Sequence, residues 1–266
     1  MSKQERWSKL LEVLAVAGKL DVEEAAVSVA VSPATIRRDL DELAEQKLLV
    51  RTRGGAIAHG VSYELPLRYK SSRRVSEKQR IASAVADLLG AGDVVGLNGG
   101  TTTTEVARAL VLRAGGGPAE RGEGSSGPMY TIVTNALNIA GELAVRPQFK
   151  IVVTGGVARP QTYELVGPLT EGVLSRVVLD VAVLGVDGVD PRLGVMTHHE
   201  DEASVSRLLA ERARKVILAT DSSKMGKRAF ARICGLDRID VLVTDSGLAP
   251  DMAARLTEAG IEVVSV

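Results

Sequence analysis

The first residues with recognisable chemistry are two adjacent arginines, Arg37 and Arg38, with Thr35 just before them. Arginine forks form paired hydrogen bonds with guanine edges and with phosphates. Three apolar side chains recur around them at helical spacing and mark one buried face: Ile36, Leu40 and Leu43. Arg38 points away from that face, which suits the major groove of double-stranded DNA. The alternative is that paired arginines on an amphipathic helix form only a solvated face.

The flanking residues predict the elements that would present this helix. Ser32 is a good N-cap, and the proline after it fits the first helical position. Downstream, the sequence LLVRTRGG spaces Arg51 and Arg53 as on a strand and ends in a glycine turn, which predicts a wing along the DNA backbone. Two further predicted helices precede Ser32. This order indicates a winged helix-turn-helix over residues 1–57. The predicted DNA-binding residues are Ser32, Thr35, Arg37, Arg38, Arg51 and Arg53.

Charge is unevenly distributed along a chain whose net charge is zero. Residues 47–80 carry nine basic and two acidic side chains, whereas residues 1–46 carry six basic and nine acidic ones. The positive charge therefore lies on the wing and the segment after it, where DNA phosphates would be contacted. Residues 58–75 contain a glycine, a proline and no sustained period, so we interpret them as a linker. For residues 68–80, a charged solvated segment is the alternative to DNA contact.

Composition excludes several other classes of protein. The chain has 266 residues, of which 45% are apolar and 25% charged, as in ordinary globular proteins. No apolar run approaches the ~20 residues that span a bilayer, and the first residues lack the apolar core of a signal peptide. One cysteine excludes an internal disulfide. The cluster HHEDE at 198–202 has metal-ligand residue types but no second cluster. We therefore expect a cytoplasmic protein without membrane contact, metal or other cofactor.

From residue 93 onward, short apolar segments alternate with amphipathic ones. Seven strands are predicted, over 94–97, 131–134, 150–155, 181–186, 215–220, 241–244 and 262–266. Helices are predicted over 76–89 (capped by Ser76), 105–112, 137–144, 165–174, 200–212 and 251–259. Strands rich in Val, Ile and Leu between helices predict a mostly parallel α/β sheet covered on both faces, over residues 76–266. The Gly-rich segment 114–128 is interpreted as a surface loop.

Polar clusters follow four of the predicted strands, at the sheet edge where ligands of parallel α/β folds collect. A glycine–threonine loop before a helix could hold an anion on backbone N–H groups and hydroxyls. The other three clusters offer an amide, a carboxylate for sugar hydroxyls, and a lysine for a phosphate. Together they predict a phosphorylated polyol ligand, although each alone is also ordinary turn chemistry. The predicted ligand-binding residues are Asn98, Gly99, Gly100, Thr101, Thr102, Thr103, Asn135, Asp187, Gly188 and Lys224.

The motifs together resemble the DeoR family of bacterial transcriptional regulators. In the first domain the matching residues are Ser32, 35–40 (TIRRDL), Leu43 and 53–56 (RGGA). Further matches are 64–68, 77–78, 81–82, 92–93, 134–135, 155–156, Gly167, 187–188 and 221–224 (DSSK). The resemblance covers nearly the whole chain. The family's phosphate loop usually reads Gly-Ser-Thr-Thr, whereas residues 100–103 read Gly-Thr-Thr-Thr, which keeps the hydroxyl.

This resemblance implies a winged helix-turn-helix followed by a sensor domain with a fold like that of ribose-phosphate isomerase. It implies a repressor of sugar-catabolism genes that binds operator DNA as a homo-oligomer, a dimer or tetramer, and responds to a phosphorylated sugar. One alternative is a sugar-phosphate isomerase, with Asp187, Asp190 or Glu200 as base. Another is that the second domain binds no ligand and only oligomerises.

Overall fold

The computed structural model describes residues 1–46, 48–57, 67, 74–115 and 127–266. The chain divides into two compact units, Met1–Arg73 and Arg74–Val266. The predicted linker over 58–75 and the predicted loop over 114–128 fall largely outside the described residues, and their boundaries stay predictions. Within the described part of the chain, no helix is long and apolar enough to cross a membrane.

Three helices build the first unit: α1 (Lys3–Ala17), α2 (Val22–Ser28) and α3 (Pro33–Glu45). Each begins after a side chain that accepts a hydrogen bond from the first turn, which satisfies backbone N–H groups that have no helical partner. The predicted cap on α3 is confirmed, because the Ser32 hydroxyl accepts from the Thr35 N–H at 3.2 Å. The apolar faces of the three helices enclose one core, which includes Ile36, Leu40 and Leu43.

A three-stranded antiparallel sheet completes the first unit. It consists of β1 (Lys19–Asp21), β2 (Val50–Arg51) and β3 (Gly55–Ile57), with β3 in the centre. The pairing of β2 with β3 forms the predicted wing. β1 was not predicted, because three residues between two helices are too short to show a strand period. A side chain at Gly55 would overlap the Leu20 carbonyl, so glycine permits the close approach of β1.

A buried carboxylate ties α3 to α1. The Asp39 side chain is 3% exposed. It accepts hydrogen bonds from Arg6 (Nε to Oδ2, 2.5 Å, and Nη2 to Oδ1, 3.1 Å) and from Trp7 Nε1 (to Oδ1, 2.8 Å). The hydrogen bond from Arg6 to Asp39 raises the pKa of the Arg6 guanidinium. A buried charge needs a paired, hydrogen-bonded partner, and here this partner also sets how α3 lies on α1.

The second unit is built on one parallel sheet of seven strands. They are β4 (Val94–Leu97), β5 (Tyr130–Thr134), β6 (Phe149–Val153), β9 (Leu179–Leu184), β12 (Ala213–Ala219), β14 (Val241–Thr244) and β15 (Glu262–Ser265). Their spatial order is β15-β14-β12-β9-β4-β5-β6, and neighbouring strands are parallel. The seven predicted strands and the parallel sheet are thereby confirmed, with shifts of up to two residues at strand ends.

Helices cover both faces of this sheet, as predicted. They are α4 (Val75–Asp87), α5 (Thr101–Ala114), α6 (Leu137–Leu143), α7 (Glu171–Leu174), α8 (Glu200–Arg212) and α9 (Pro250–Glu258). Alternate residues of one strand enter two different apolar clusters, because successive side chains of a strand point to opposite faces. On β9, Val181 and Val183 pack in the cluster that contains residues of α4 and α5, whereas Ala182 and Leu184 pack in the cluster that contains residues of α8.

The prediction of one helix over 165–174 is wrong. Glu164–Val166 is a strand, β8, which pairs antiparallel with β7 (Val157–Arg159). Gly167 has a φ of 90°, outside the right-handed helical region, and Pro168 then opens a short 3-10 turn before α7. The apolar residues of this segment therefore lie on two elements, β8 and α7, which are separated by Gly167 and Pro168.

Two other features of the second unit differ from the predictions. Ser76 does not cap α4; the residue at the cap position is Arg74, whose side chain makes no capping hydrogen bond. A second small antiparallel sheet is formed by β10 (Gly188–Asp190), β11 (Gly194–Thr197) and β13 (Ala231–Cys234). Strands of three and four residues give too little pattern to be recognised in the sequence.

Candidate functional site

The two arginines on the exposed side of α3, Arg37 and Arg38, have different surroundings. Arg37 donates from Nη2 to Glu23 Oε1 of α2 at 2.9 Å, and both side chains are more than half exposed. Arg38 is exposed, and within the described residues its side chain makes no hydrogen bond or ion pair. An exposed ion pair such as Arg37–Glu23 contributes little free energy. Arg37 could therefore leave Glu23 for another partner at little cost.

The hydroxyls at the start of α3 contact each other. Ser32 Oγ and Thr35 Oγ1 lie 2.9 Å apart, and the Ser32 hydroxyl also serves the cap. Ser32 is exposed and Thr35 half-buried, so both remain at the surface of the first turn. The first turn of a helix also carries unpaired N–H groups that attract phosphate.

The wing arginines are held in different ways. Arg51 donates from Nε to Asp41 Oδ1 of α3 at 2.6 Å and from Nη1 to the Gly55 carbonyl at 2.5 Å, which joins the wing to α3. Arg53 lies in the turn between β2 and β3 and is exposed. The structure therefore brings the predicted DNA-binding residues together on one unit, from α3 and from the wing.

The predicted ligand-binding residues follow four strands that are neighbours in the sheet: β12, β9, β4 and β5. Gly100, directly before α5, has a φ of 144°, in the region that favours glycine. Gly100 and Thr101 are half-exposed, whereas Gly99 and Thr102 are buried. The hydroxyl of Thr103 donates back to the Gly100 carbonyl at 3.2 Å, and Thr103 is fully buried. The part of the loop that reaches solvent is therefore the backbone of Gly100 together with Thr101.

Asn98 ties the loop to the adjacent strand. Its Nδ2 donates to the Gly185 carbonyl at 2.9 Å and to Ser206 Oγ at 3.0 Å, and its Oδ1 accepts from the Gly185 N–H at 2.8 Å. With the side chain buried and so bonded, Asn98 fixes the spacing of β4 and β9 where both strands end.

A buried glutamate, Glu164 of β8, packs against the loop from the side of β5. A Cβ at Gly99 would overlap the Glu164 side chain, so this glycine admits the carboxylate. Glu164 Oε2 accepts from Asn135 Nδ2 at 2.8 Å. Asn135 Oδ1 is buried and has no hydrogen-bond partner in the described part of the structure. Sequence reasoning missed Glu164, because only the hairpin of β7 and β8 brings it to this edge.

Five further polar side chains contact one another in a chain that begins at Lys224 and ends at Arg159. Lys224 Nζ lies 3.3 Å from Asp187 Oδ1, and Thr197 Oγ1 lies 3.0 Å from Asp187 Oδ2. Thr197 Oγ1 is also 3.4 Å from Oε2 of the buried Glu202, whose Oε1 lies 3.0 Å from Arg159 Nε. Sequence reasoning missed Arg159 and Glu202. Neither has a motif; β7 and α8 bring them together.

Gly188, the last predicted ligand residue, is buried on β10. A Cβ there would lie 2.5 Å from the Lys227 carbonyl, so its glycine is required by close packing of the chain. The side chain at this position is therefore that of its neighbour Asp187, whereas Gly188 leaves room for the backbone at Lys227.

Asp190, one of the carboxylates considered as a catalytic base, is committed to an ion pair. Its Oδ2 accepts from Arg228 Nε at 2.6 Å, and its Oδ1 accepts from the N–H groups of Arg192 and Leu193. The Arg228 hydrogen bond, followed by that from Arg192, lowers the pKa of Asp190 to about 2. A carboxylate with so low a pKa is a weak proton acceptor. Glu200, another considered base, is exposed.

The lowered pKa of Asp190 predicts a loss of stability in acid. A carboxylate with a depressed folded pKa stabilises the fold above its unfolded pKa of ~3.9, and this contribution disappears as the pH falls through the folded pKa of about 2. We therefore expect the difference in unfolding free energy between wild type and Asp190→Asn to be constant above about pH 5 and to shrink towards pH 2. Urea unfolding followed by circular dichroism measures it, with Glu200→Gln as the exposed control. A difference that persists unchanged to pH 2 would contradict the assignment.

Comparison with known proteins gives two family models that match along the chain. They are the DeoR-like helix-turn-helix domain over residues 6–60 and the DeoR C terminal sensor domain over residues 73–246. The HTH-type transcriptional regulator GlpR of Haloferax volcanii is 34% identical over 265 residues, 99% of this chain and 98% of the relative. The glycerol-3-phosphate regulon repressor of Escherichia coli is 31% identical over 263 residues, 99% of each chain.

Among solved structures, ribose 5-phosphate isomerase A of Methanocaldococcus jannaschii is similar with a TM-score of 0.39 and 17% identity. The similarity covers 56% of this chain and 53% of the isomerase. The match to the two regulators thus extends over nearly the whole chain.

Proposed function

The chain belongs to the DeoR family of transcriptional regulators, and we propose that it represses a carbohydrate-catabolism operon and responds to a phosphorylated sugar. It is a DNA-binding regulator and not an enzyme, since the family models and the full-length relatives are those of regulators. A relative named for the glycerol-3-phosphate regulon supports a phosphorylated polyol as the class of effector. We place the protein in the cytoplasm with its operator.

In the proposed DNA complex, α3 lies in the major groove. Arg38 and Arg37 contact base edges with Thr35, while Arg51 and Arg53 contact phosphates along the wing. The support is the exposure of Arg38 and the attachment of Arg51 to α3, which aligns wing and helix. A homo-oligomer, a dimer or tetramer, would present two or more such helices to matched half-sites.

In the proposed effector complex, the phosphate is held by backbone N–H groups at Gly100–Thr102 and by Lys224. The observation that carries this proposal is that the half-exposed glycine–threonine helix start follows β4, the neighbour of β9, and that Asp187, which follows β9, pairs with Lys224. Asp187 would accept hydrogen bonds from sugar hydroxyls. Asn98, Thr103 and Gly188, whose bonds or packing lie inside the protein, would shape the site. Effector binding would shift operator affinity by about 1–3 kcal/mol, the usual size of such coupling.

Replacement of Lys224 by alanine is expected to weaken sugar-phosphate binding by about 10- to 100-fold, because a hydrogen bond to a charged group contributes ~1.5–3 kcal/mol. Isothermal titration with the best sugar phosphate from the screen described below measures the loss. Lys227→Ala is the matched control, since Lys227 is an exposed lysine of the same segment. A Lys224→Ala protein with wild-type affinity would remove this lysine from the site.

The proposal as a whole is tested with purified full-length protein and a duplex selected in vitro by that protein. Inorganic phosphate, glycerol 3-phosphate, ribose 5-phosphate and fructose 6-phosphate are screened by thermal shift and then added to the DNA-binding assay. We expect at least one sugar phosphate to raise the melting temperature and to change operator affinity. If none of them binds, the effector proposal fails, and the result favours the alternative in which the second unit only oligomerises.

A further inference from the structure

Arg74 stands where the chain enters the second unit. It follows directly the residue at which the first unit ends. Its φ is 47°, a left-handed conformation that non-glycine residues seldom adopt, and it makes no side-chain cap for α4. The side chain instead lies near two carboxylates, with Nε 3.7 Å from Asp221 Oδ1 and Nη1 3.8 Å from Asp245 Oδ2. Both carboxylate side chains are only 6% exposed.

These two carboxylates hold the turn that carries Lys224. Asp221 caps the 3-10 turn Ser222–Lys224 by accepting from the Ser223 N–H at 3.1 Å. Asp245 Oδ1 accepts from the Ser222 N–H at 2.6 Å, and Oδ2 accepts from the Ser222 hydroxyl at 2.8 Å. Burial raises the pKa of Asp245, but the hydrogen bonds from Ser222 and Gly247 together outweigh burial and leave it below its ordinary value. Asp245 is therefore ionised at neutral pH.

The three-residue turn Ser222–Lys224 thus has Arg74 and its two carboxylates at one end and Lys224, the lysine of the proposed effector site, at the other. Lys224 Nζ is 3.3 Å from Asp187, while Asp221 and Ser222 face the Arg74 side. Ion pairs with hydrogen-bonded contact are about 2.7–2.9 Å long, so the Arg74 contacts at 3.7 Å and 3.8 Å have room to tighten or to separate. A displacement of the turn changes their length directly.

We propose that Arg74, paired with Asp221 and Asp245, is the positioning residue that transmits effector binding from Lys224 to the segment joining the two units. This inference rests on the proposed function. An anion on Lys224 competes with Asp187 for the ammonium group and moves the Ser222–Lys224 turn. The turn moves Asp221 with it and changes the contacts of Arg74, which is joined by its peptide bond to Arg73, the last residue of the first unit. Arg74 itself does not contact the effector.

The test uses full-length wild type, Arg74→Gln, Arg74→Lys and the control Arg80→Gln, an exposed arginine on α4. The probes are glycerol 3-phosphate, ribose 5-phosphate and fructose 6-phosphate, with the in vitro selected duplex. Probe affinity is measured by titration, and duplex affinity is measured with and without saturating probe.

In wild type and Arg80→Gln we expect saturating probe to shift duplex affinity by about 5- to 150-fold. In Arg74→Gln we expect probe affinity within about twofold of wild type and a shift below about twofold. Arg74→Lys, which keeps the charge, should retain part of the shift.

If Arg74 had a purely structural role, Arg74→Gln would have a lower melting temperature but the same ratio of duplex affinities with and without probe as wild type. That result would overturn the inference. A wild-type shift in Arg74→Gln, or a wild type that binds a probe without any shift, would overturn the inference and leave the effector site standing. Failure of wild type to bind every probe would instead overturn the proposed function and this inference with it. Should Arg74→Gln not fold, duplex affinity is measured with and without saturating probe for Asp245→Asn, and the same loss of the shift is expected.

Discussion

Replacement of Asp39 by alanine is expected to lower the unfolding free energy of the DNA-binding unit by about 2–4 kcal/mol. The change leaves the Trp7 N–H and the Arg6 guanidinium without the acceptor that each uses in the core. A domain of this size has a stability of only roughly 3–10 kcal/mol, so much of it would be lost. The chain contains a single tryptophan, which is Trp7, and its fluorescence during urea unfolding reports on this unit alone.

Asp41→Ala is the matched control for this measurement. Asp41 lies on the same helix and also pairs with an arginine, Arg51, but its side chain is 62% exposed. Exposed pairs contribute about 0–1 kcal/mol, so the control should shift the unfolding midpoint little. If both variants lose equally little stability, the buried contact does not hold α3. Asp39→Asn, which keeps one acceptor, should fall between the two.

Replacement of Arg38 by alanine is expected to reduce affinity for the selected operator by about 1–3 kcal/mol and to relax base preference at one position in each half-site. The reason is that Arg38 is exposed on α3 and makes no hydrogen bond or ion pair within the described residues, so its fork is available to a base pair. Fluorescence anisotropy against the operator and against every single-base variant gives both quantities. The fold should be unaffected, because no described residue of the unit forms a hydrogen bond or ion pair with this side chain.

Arg53→Ala provides the contrast. A side chain that contacts only phosphate weakens binding to all sequences alike and lowers the dependence of affinity on salt concentration. We therefore expect Arg53→Ala to leave the order of preferred sequences unchanged. An Arg38→Ala protein that also keeps this order would show that Arg38 does not read bases.

The parts of the fold that the sequence predicts are those with local signals. The cap at Ser32, the apolar face through Leu43 and the seven strands are all written in short stretches of chain, and the structure confirms them. The helix predicted over 165–174 failed because Gly167 splits it into a strand and a later helix. The cap predicted at Ser76 failed because the helix already begins at Val75, so that Arg74, in a left-handed conformation, occupies the cap position.

The candidate site was only partly predictable for a different reason. The loop at Gly100 and the lysine at 224 follow strands directly, so their place at the sheet edge is implied by the alternation of strands and helices. Glu164, Arg159 and Glu202 reach the same edge from a hairpin and from the buried side of α8. Such side chains carry no motif of their own, because their meeting depends on tertiary packing. The assignment of individual residues to ligand and to DNA stays a prediction.

The contact between Gly99 and Glu164 has a practical consequence for engineering this sensor. Because the glutamate fills the volume that a methyl group at position 99 would need, the two positions are sterically interdependent although 65 residues separate them in the chain. A loop transplanted from another regulator into positions 99–103 would carry its own steric requirement, so we expect this loop and the hairpin of β7 and β8 to function only when exchanged together. In the proposed effector site, the exchangeable unit is therefore two segments distant in sequence rather than the loop alone.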